Sequence, residues 1–144
     1  MRLLADTNLF IKFCRRLPLP PQVESALSDA GTERFLSPVS VIDLYRLWQR
    51  GHVPDNPDSW LDLALPSWRV LPLTVPIARQ SVLWPWAHQD PADRLLAATA
   101  ACEGVELWHT DTVLRRLTGF PHRYFVNVVQ NPPPSPSSTR PKRL

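Results

Sequence analysis

Apolar positions fall into short continuous runs and longer stretches with helical spacing, and the two kinds alternate along the chain. "RLLA" at 2–5 reads as a buried strand ending at Asp6, and "TNLFIKFCRR" then carries a helical pattern that Pro18 stops. "PQVESALSDAG" at 21–31 reads as a helix opened by proline and closed by glycine. "RFLS" at 34–37 follows as a strand. In "PVSVIDLYRLWQRG" at 38–51, Val41, Leu44, Leu47 and Trp48 share one helical face and Gly51 closes the helix. The rhythm continues with a short helix at 56–66, a strand at 68–73, a helix at 74–84 and a helix from Pro91 to Glu103. A strand at 105–109, a short helix at "TVLRRL" and a last strand at 124–129 complete it. This alternation predicts an α/β fold with a parallel sheet covered on both faces.

A chain of 144 residues is the size of one domain, able to bury roughly two-thirds of its unfolded surface. No apolar run approaches the roughly 18 residues of a membrane span, and the N-terminus reaches an acid by Asp6, so a soluble cytoplasmic protein is expected, without a membrane partner. Cys14 and Cys102 sit in apolar helical stretches without metal or redox spacing, and are expected as buried thiols. The formal charge of +3 changes meaning with its location. Arg140, Lys142 and Arg143 belong to "NPPPSPSSTRPKRL", and without them 13 basic groups face 13 acids. A domain over 1–130 is therefore neutral, followed by a proline- and serine-rich tail at 131–144 that is expected to be disordered. A polyanion must be held through a local patch or a metal ion, because no global positive field exists.

Ligand sites in parallel α/β sheets gather at the carboxyl ends of strands. Asp6 follows the first strand, Asp43 sits in the helix after the second, Asp93 lies in the first turn of the helix from Pro91, and Asp111 follows the fourth strand. Four converging carboxylates repel one another unless protons or cations compensate, and hard oxygen donors suit Mg²⁺ or Mn²⁺. Each acid also has a local explanation. Asp90 before Pro91 is a good N-cap, Asp93 can complete a capping box, Asp6 can be a turn residue, and Asp111 can cap a helix from Thr112. Asp43 has poor helix propensity and no capping duty, so it asks for another reason.

The segments "LLADTNLFI", "LSPVSVIDLYRLWQRG" and "DPADRLLAATAACEGVELWHTD" together resemble the acidic motifs of PIN-domain proteins, in order and spacing. "RVLPLTVPIA" is similar to the segment before the third motif in the VapC-like toxins of prokaryotic toxin–antitoxin pairs. The resemblance implies a three-layer α/β/α fold with a mainly parallel central sheet, and a metal-dependent endoribonuclease, homodimeric and held inactive by a cognate antitoxin. By position, Asp6, Asp93 and Asp111 match the family's metal ligands, and Asp43 stands where these toxins carry glutamate, its reach shorter by about 1.3 Å. Asp90, Thr7 and Ser40 are supporting candidates around those acids; the two hydroxyls are equally readable as helix caps. RNA in single-stranded or looped form is the expected substrate. A noncatalytic PIN-like domain that binds RNA or protein, and a structure-specific DNA nuclease, are the alternatives.

The arginine pairs at 15/16 and 115/116 read as solvated helix faces, and the histidines at 52, 88, 109 and 122 lack ligand spacing and read as structural or surface residues. Trp84 and Trp86 in "LWPWAHQ" read as packing residues, with a partner surface or stacked base as the other reading. For the antitoxin, a groove near 9–13 and 41–48 is expected, with Leu9, Phe10 and Phe13 exposed along it.

Overall fold

The computed structural model describes residues 1–128, so the expected tail and its boundary near residue 130 lie outside the described residues. Strands β1 (Arg2–Ala5), β2 (Glu33–Leu36), β3 (Arg69–Val70), β4 (Glu106–His109) and β5 (His122–Tyr124) form one sheet in the spatial order β3-β2-β1-β4-β5. Every pairing is parallel, with Leu3 opposite Arg34 on one side of β1 and opposite Glu106 on the other. Side chains alternate across a strand, so β1 feeds two cores. Leu3 and Ala5 pack with Leu9, Phe10, Val23 and Trp108, whereas Leu4 packs with Val39, Leu96, Leu107 and Phe120.

Helices α1 (Thr7–Cys14), α2 (Pro21–Ser28), α3 (Pro38–Gln49), α4 (Pro57–Ala64), α5 (Val75–Leu83) and α6 (Pro91–Glu103) supply the outer layers, giving the three-layer arrangement. Their starts follow the sequence signals: Asp6, Ser37, Asn56, Thr74 and Asp90 each accept a backbone N–H as N-cap, and a proline opens five of the six. Leu96, Ala97, Ala98, Thr99 and Ala100 of α6 are buried, their mostly small side chains letting the helix press close to its neighbours, and Gly104 ends it in the left-handed conformation at φ 64°.

Several expectations change. The third strand shrinks to two exposed edge residues, although Leu71 N–H still donates to Leu36 O at 2.9 Å. The last strand lies at 122–124 rather than 124–129: His122 pairs opposite Leu107, while Phe125 turns in beside Trp108 at the strand's end and Val126 faces solvent. Residue 129 lies outside the described residues. Cys102 is exposed, because the buried face of α6 is already filled by the residues before it; Cys14 is half-buried, and burial pushes its thiol up to about 12. Leu9 and Phe10 are fully buried and Phe13 packs edge-on against Trp68, so none forms the expected exposed apolar strip. Among the described residues no helix is long and apolar enough to cross a membrane.

Candidate active site

The chain leaves β1 toward β2 and β3 on one side, then returns to β4 on the other, so the sheet changes direction at the carboxyl ends of β1 and β4. Helices on either side of such a switch point diverge and leave a crevice. Asp6 lies buried at the carboxyl end of β1, beside this crevice. As N-cap of α1 it accepts Leu9 N–H at 2.8 Å through Oδ1, and Oδ2 accepts Thr110 N–H at 3.2 Å from the chain leaving β4. With 7% of its surface exposed, its carboxyl is raised from 3.8 to about 6. Burial is the largest cause; the two backbone donors oppose it, and the charges of Asp111 and Asp93 add to it. Asp111 uses Oδ1 as a cap, accepting Val113 N–H at 2.7 Å and Leu114 N–H at 3.0 Å to open a 3-10 turn at Leu114–Arg116.

Asp93 is placed by the loop before α6. Asp90 caps that helix, accepting Ala92 N–H at 2.9 Å and Asp93 N–H at 3.3 Å, so Asp93 falls in the first turn. Its Oδ2 lies 2.7 Å from His88 Nε2. Burial raises the Asp93 carboxyl, the His88 bond lowers it, and the charges of Asp90 and Asp111 raise it. His88 reaches that spot because Arg94, also buried, gathers the loop: Nε donates to His88 O at 2.7 Å, Nη1 to Ser81 O at 2.9 Å and Trp84 O at 3.1 Å, and Nη2 to Trp86 O at 2.8 Å. Trp84 and Trp86 stack at 4.2 Å and lean on Phe120, which makes them packing residues. Gly119 permits this contact: its φ is 103°, and a Cβ there would meet Trp84 Nε1 at 2.8 Å.

Asp43 faces the same crevice from α3. Its Oδ2 accepts the Thr7 hydroxyl at 3.3 Å, and that hydroxyl also lies 3.0 Å from the fully buried Ser40 Oγ. Neither hydroxyl is a helix N-cap, since Asp6 and Ser37 hold those places. Burial raises the Asp43 carboxyl, with Thr7 and the charge of Arg46 lowering it and Asp90 raising it. A cleft of about 530 Å³ joins Thr7, Asp43, Asp90 and Asp93 to Arg46 and Arg50, with Ile11 and Leu47 as its apolar part. The groove expected between 9–13 and 41–48 therefore exists, but through these side chains.

Asp43, Asp90 and Asp93 thus share the cleft, while Asp6 and Asp111 do not line it and couple to Asp93 through charge. Among the described residues no three acid, histidine or cysteine side chains stand as a ready-made metal site. The donor set is nonetheless hard oxygen, with repulsion that a divalent cation relieves, and Asp93 Oδ1 and Asp111 Oδ2 make no hydrogen bond among the described residues. His88, read from the sequence as a structural or surface residue, instead bonds to Asp93, and Arg46 and Arg50 escape that reading. For the arginines a signal existed, since positions 43, 46 and 50 recur at helical spacing on one face. His109 is structural as expected: fully buried, it accepts Asp111 N–H at Nδ1 (3.2 Å), so Nε2 carries the proton toward His122 Nδ1 at 2.9 Å. Burial and His122 lower it to about 4, which keeps the His109 ring neutral near neutral pH.

The sequence profile of the PIN domain matches residues 3–119. No match to a curated protein is found. Among solved structures, the VapBC2 complex of Rickettsia felis, bound to a DNA fragment from its promoter, is similar with a TM-score of 0.67 at 14% identity, over 87% of this chain and 99% of that one. A toxin–antitoxin complex from Klebsiella pneumoniae gives 0.58 at 20% identity, over 76% and 87%. The FitAcB structure from Neisseria gonorrhoeae gives 0.57 at 24%, over 76% and 88%.

Proposed function

The chain belongs to the PIN domain family, and from that membership and the mutual charge of Asp6, Asp93 and Asp111 we propose that it is a divalent-metal-dependent endoribonuclease, the toxin of a toxin–antitoxin pair. The observation that carries this reading is Asp6: a buried carboxyl raised to about 6, with Asp111 and Asp93 adding to the burial cost, is poorly suited to the fold alone and well suited to a cation. In this reading Asp6, Asp93 and Asp111 hold Mg²⁺ or Mn²⁺. When bound, such an ion lowers the pKa of a water and offsets charge on the leaving oxygen of a phosphodiester.

The chain's own residues do the rest. His88 fixes one oxygen of Asp93 and leaves the other to the ion; Asp90 holds the start of α6. Asp43, kept in place by Thr7, accepts the proton of the attacking water, and its raised carboxyl suits that exchange. Ser40 acts from below by holding the Thr7 hydroxyl. The nuclease domain spans 1–130 with the basic tail appended, working on single-stranded or looped RNA in the cytoplasm. The antitoxin fits the cleft by laying an apolar side chain on Ile11 and Leu47 and a basic one among the acids; that a toxin–antitoxin complex is among the solved structures of similar fold supports a protein partner of this kind. A homodimer fits the exposed Val75, Val82 and Leu83, which share one face of α5.

Incubation with total RNA and Mg²⁺ or Mn²⁺ tests the reading. Cleavage is expected to require the cation, to stop with EDTA, and to fall by at least roughly a hundredfold in Asp6→Asn and Asp93→Asn, on the order of 3 kcal/mol or more. Undiminished cutting by Asp93→Asn rules the site out. One observation favours a second reading, the noncatalytic binding domain: no three ligands are preassembled among the described residues. Failure of the folded protein to bind any divalent cation would select it.

A further inference from the structure

A polyanion approaching this chain meets a neutral domain and a crevice crowded with carboxylates, so something local must hold it there. Most arginines are already engaged. Arg2 and Arg69 approach Glu33, and Arg123 pairs with Glu106. Arg94 is enclosed by carbonyls, Arg34 donates to Leu27 O, Arg15 lies over Trp60 and Arg115 over Tyr124.

Arg16, Arg79 and Arg116 are exposed without such partners among the described residues but do not line the cleft; Arg46 and Arg50 do. Both are exposed, both line the cleft that holds Asp43, Asp90 and Asp93, and among the described residues neither side chain makes an ion pair or hydrogen bond. Arg46 lies in the last turn of α3 and Arg50 is the residue that caps its C-terminus, its N–H donating to Arg46 O at 3.0 Å, so the two stand about one turn apart; Arg46 is near enough to favour the charged form of Asp43. A guanidinium left unpaired beside carboxylates, when the acids lie within its electrostatic reach, keeps its donors free for another anion. Its planar fork matches the oxygens of a phosphodiester two at a time.

We propose that Arg46 and Arg50 form a phosphate-binding arm that holds the backbone of a single RNA strand beside the acids; this rests on the ribonuclease reading above. The arm supplies the local positive patch that the neutral domain lacks. It contacts phosphates flanking the reacting one, so it contributes binding and register and no base preference.

The test uses the full chain carrying Asp93→Asn, so that RNA is not cut, and a labelled single-stranded RNA of mixed sequence, with Mg²⁺ present. Binding is followed by fluorescence anisotropy from roughly 50 to 200 mM salt. Adding Arg46→Gln and Arg50→Gln is expected to weaken binding about tenfold or more and to flatten the slope of log affinity against log salt by about 1.4, the value for two phosphate contacts on a single strand. Arg46→Lys with Arg50→Lys is expected to restore the slope, because it restores the charges. An unchanged slope in the Gln pair, with circular dichroism showing a folded chain, overturns the arm and leaves the nuclease reading standing if the parent chain cuts RNA. Absence of RNA binding by the Asp93→Asn parent overturns the arm, and absence of cutting by the wild-type chain overturns the nuclease reading on which it rests. Unchanged RNA binding together with lost capture of the antitoxin encoded by an adjacent gene assigns the pair to a protein partner instead.

Discussion

Asp6 and Arg94 are both charged side chains with almost no exposure, 7% and 6%, yet they sit in opposite surroundings. Arg94 is enclosed by four backbone carbonyls, and its charge is answered by their dipoles. Asp6 has two backbone donors, but burial outweighs them and the charges of two further acids, Asp111 and Asp93, add to its cost. A buried charge whose partners are complete is scaffold: it closes the tryptophan loop and sets His88 in place. A buried charge left at a cost marks a place kept for something that arrives later.

The largest expected effect lies on the scaffold side. Arg94→Met removes donors from four carbonyls, of which Trp86 O keeps the Gln89 amide, and at about 1 kcal/mol or more for each of the three acceptors left unpaired the loss is at least roughly 3 kcal/mol, read from urea unfolding. A loss under about 1 kcal/mol would break the contrast, since the carbonyls would then be finding water.

On the other side the sign reverses. The carboxyl of Asp6 titrates near 6 in the fold instead of near 3.8, so the fold is favoured while this group is neutral; that advantage is whole below the ordinary carboxylate value and is lost as pH rises through about 6. The difference corresponds to roughly 3 kcal/mol at neutral pH. Asp6→Asn is therefore expected to stabilise the cation-free protein near about pH 8 by as much as this, less the cost of the Thr110 bond that an amide serves poorly, and to show no gain below about pH 4. The wild-type pH profile alone does not reveal it. His109, lowered to about 4, contributes stability that fades as pH falls through that value, and so opposes Asp6 in the same window. The difference between wild type and Asp6→Asn isolates the carboxyl, and a destabilised variant near pH 8 contradicts the reading of this site.

His88 joins the two regions, since the Arg94 clamp holds its backbone and its ring holds Asp93. His88→Ala is expected to reduce cation affinity roughly tenfold, with His88→Gln recovering part of it through an amide donor. Equal affinities for all three forms would make the bond a packing accident. The smallest effect is expected at Asp43, where Asp43→Glu raises turnover and Asp43→Ala lowers it, each by about tenfold or less as measured in RNA cleavage. Equal rates would remove this position from the chemistry.

The frame of the molecule is legible in the sequence because local signals and tertiary packing agree there. Apolar runs mark β1, β2 and β4, caps and prolines mark the helix starts, and the acids sit where strands end. Legibility fails where a residue's role depends on what lies across space. "YFVNVV" has strand composition, yet the pairing with β4 falls on His122, Arg123 and Tyr124, whose partners cannot be read locally. Leu9 and Phe10 come three and four residues after Asp6 and look available, but the turn of α1 points both into the core. His88 has no ligand spacing to Asp93 in sequence; a clamp donated by the next residue, Arg94, folds it back onto that acid.

Mn²⁺ binding, followed by electron paramagnetic resonance on the wild-type chain and on Asp6→Asn and Asp93→Asn, separates a cation site from a merely costly carboxyl. Saturable binding by the wild type, weakened at least about tenfold in each folded variant, is the expected result. No binding by the wild type, or equal binding by all three, would contradict the assignment of Asp6 and Asp93 to a metal ion.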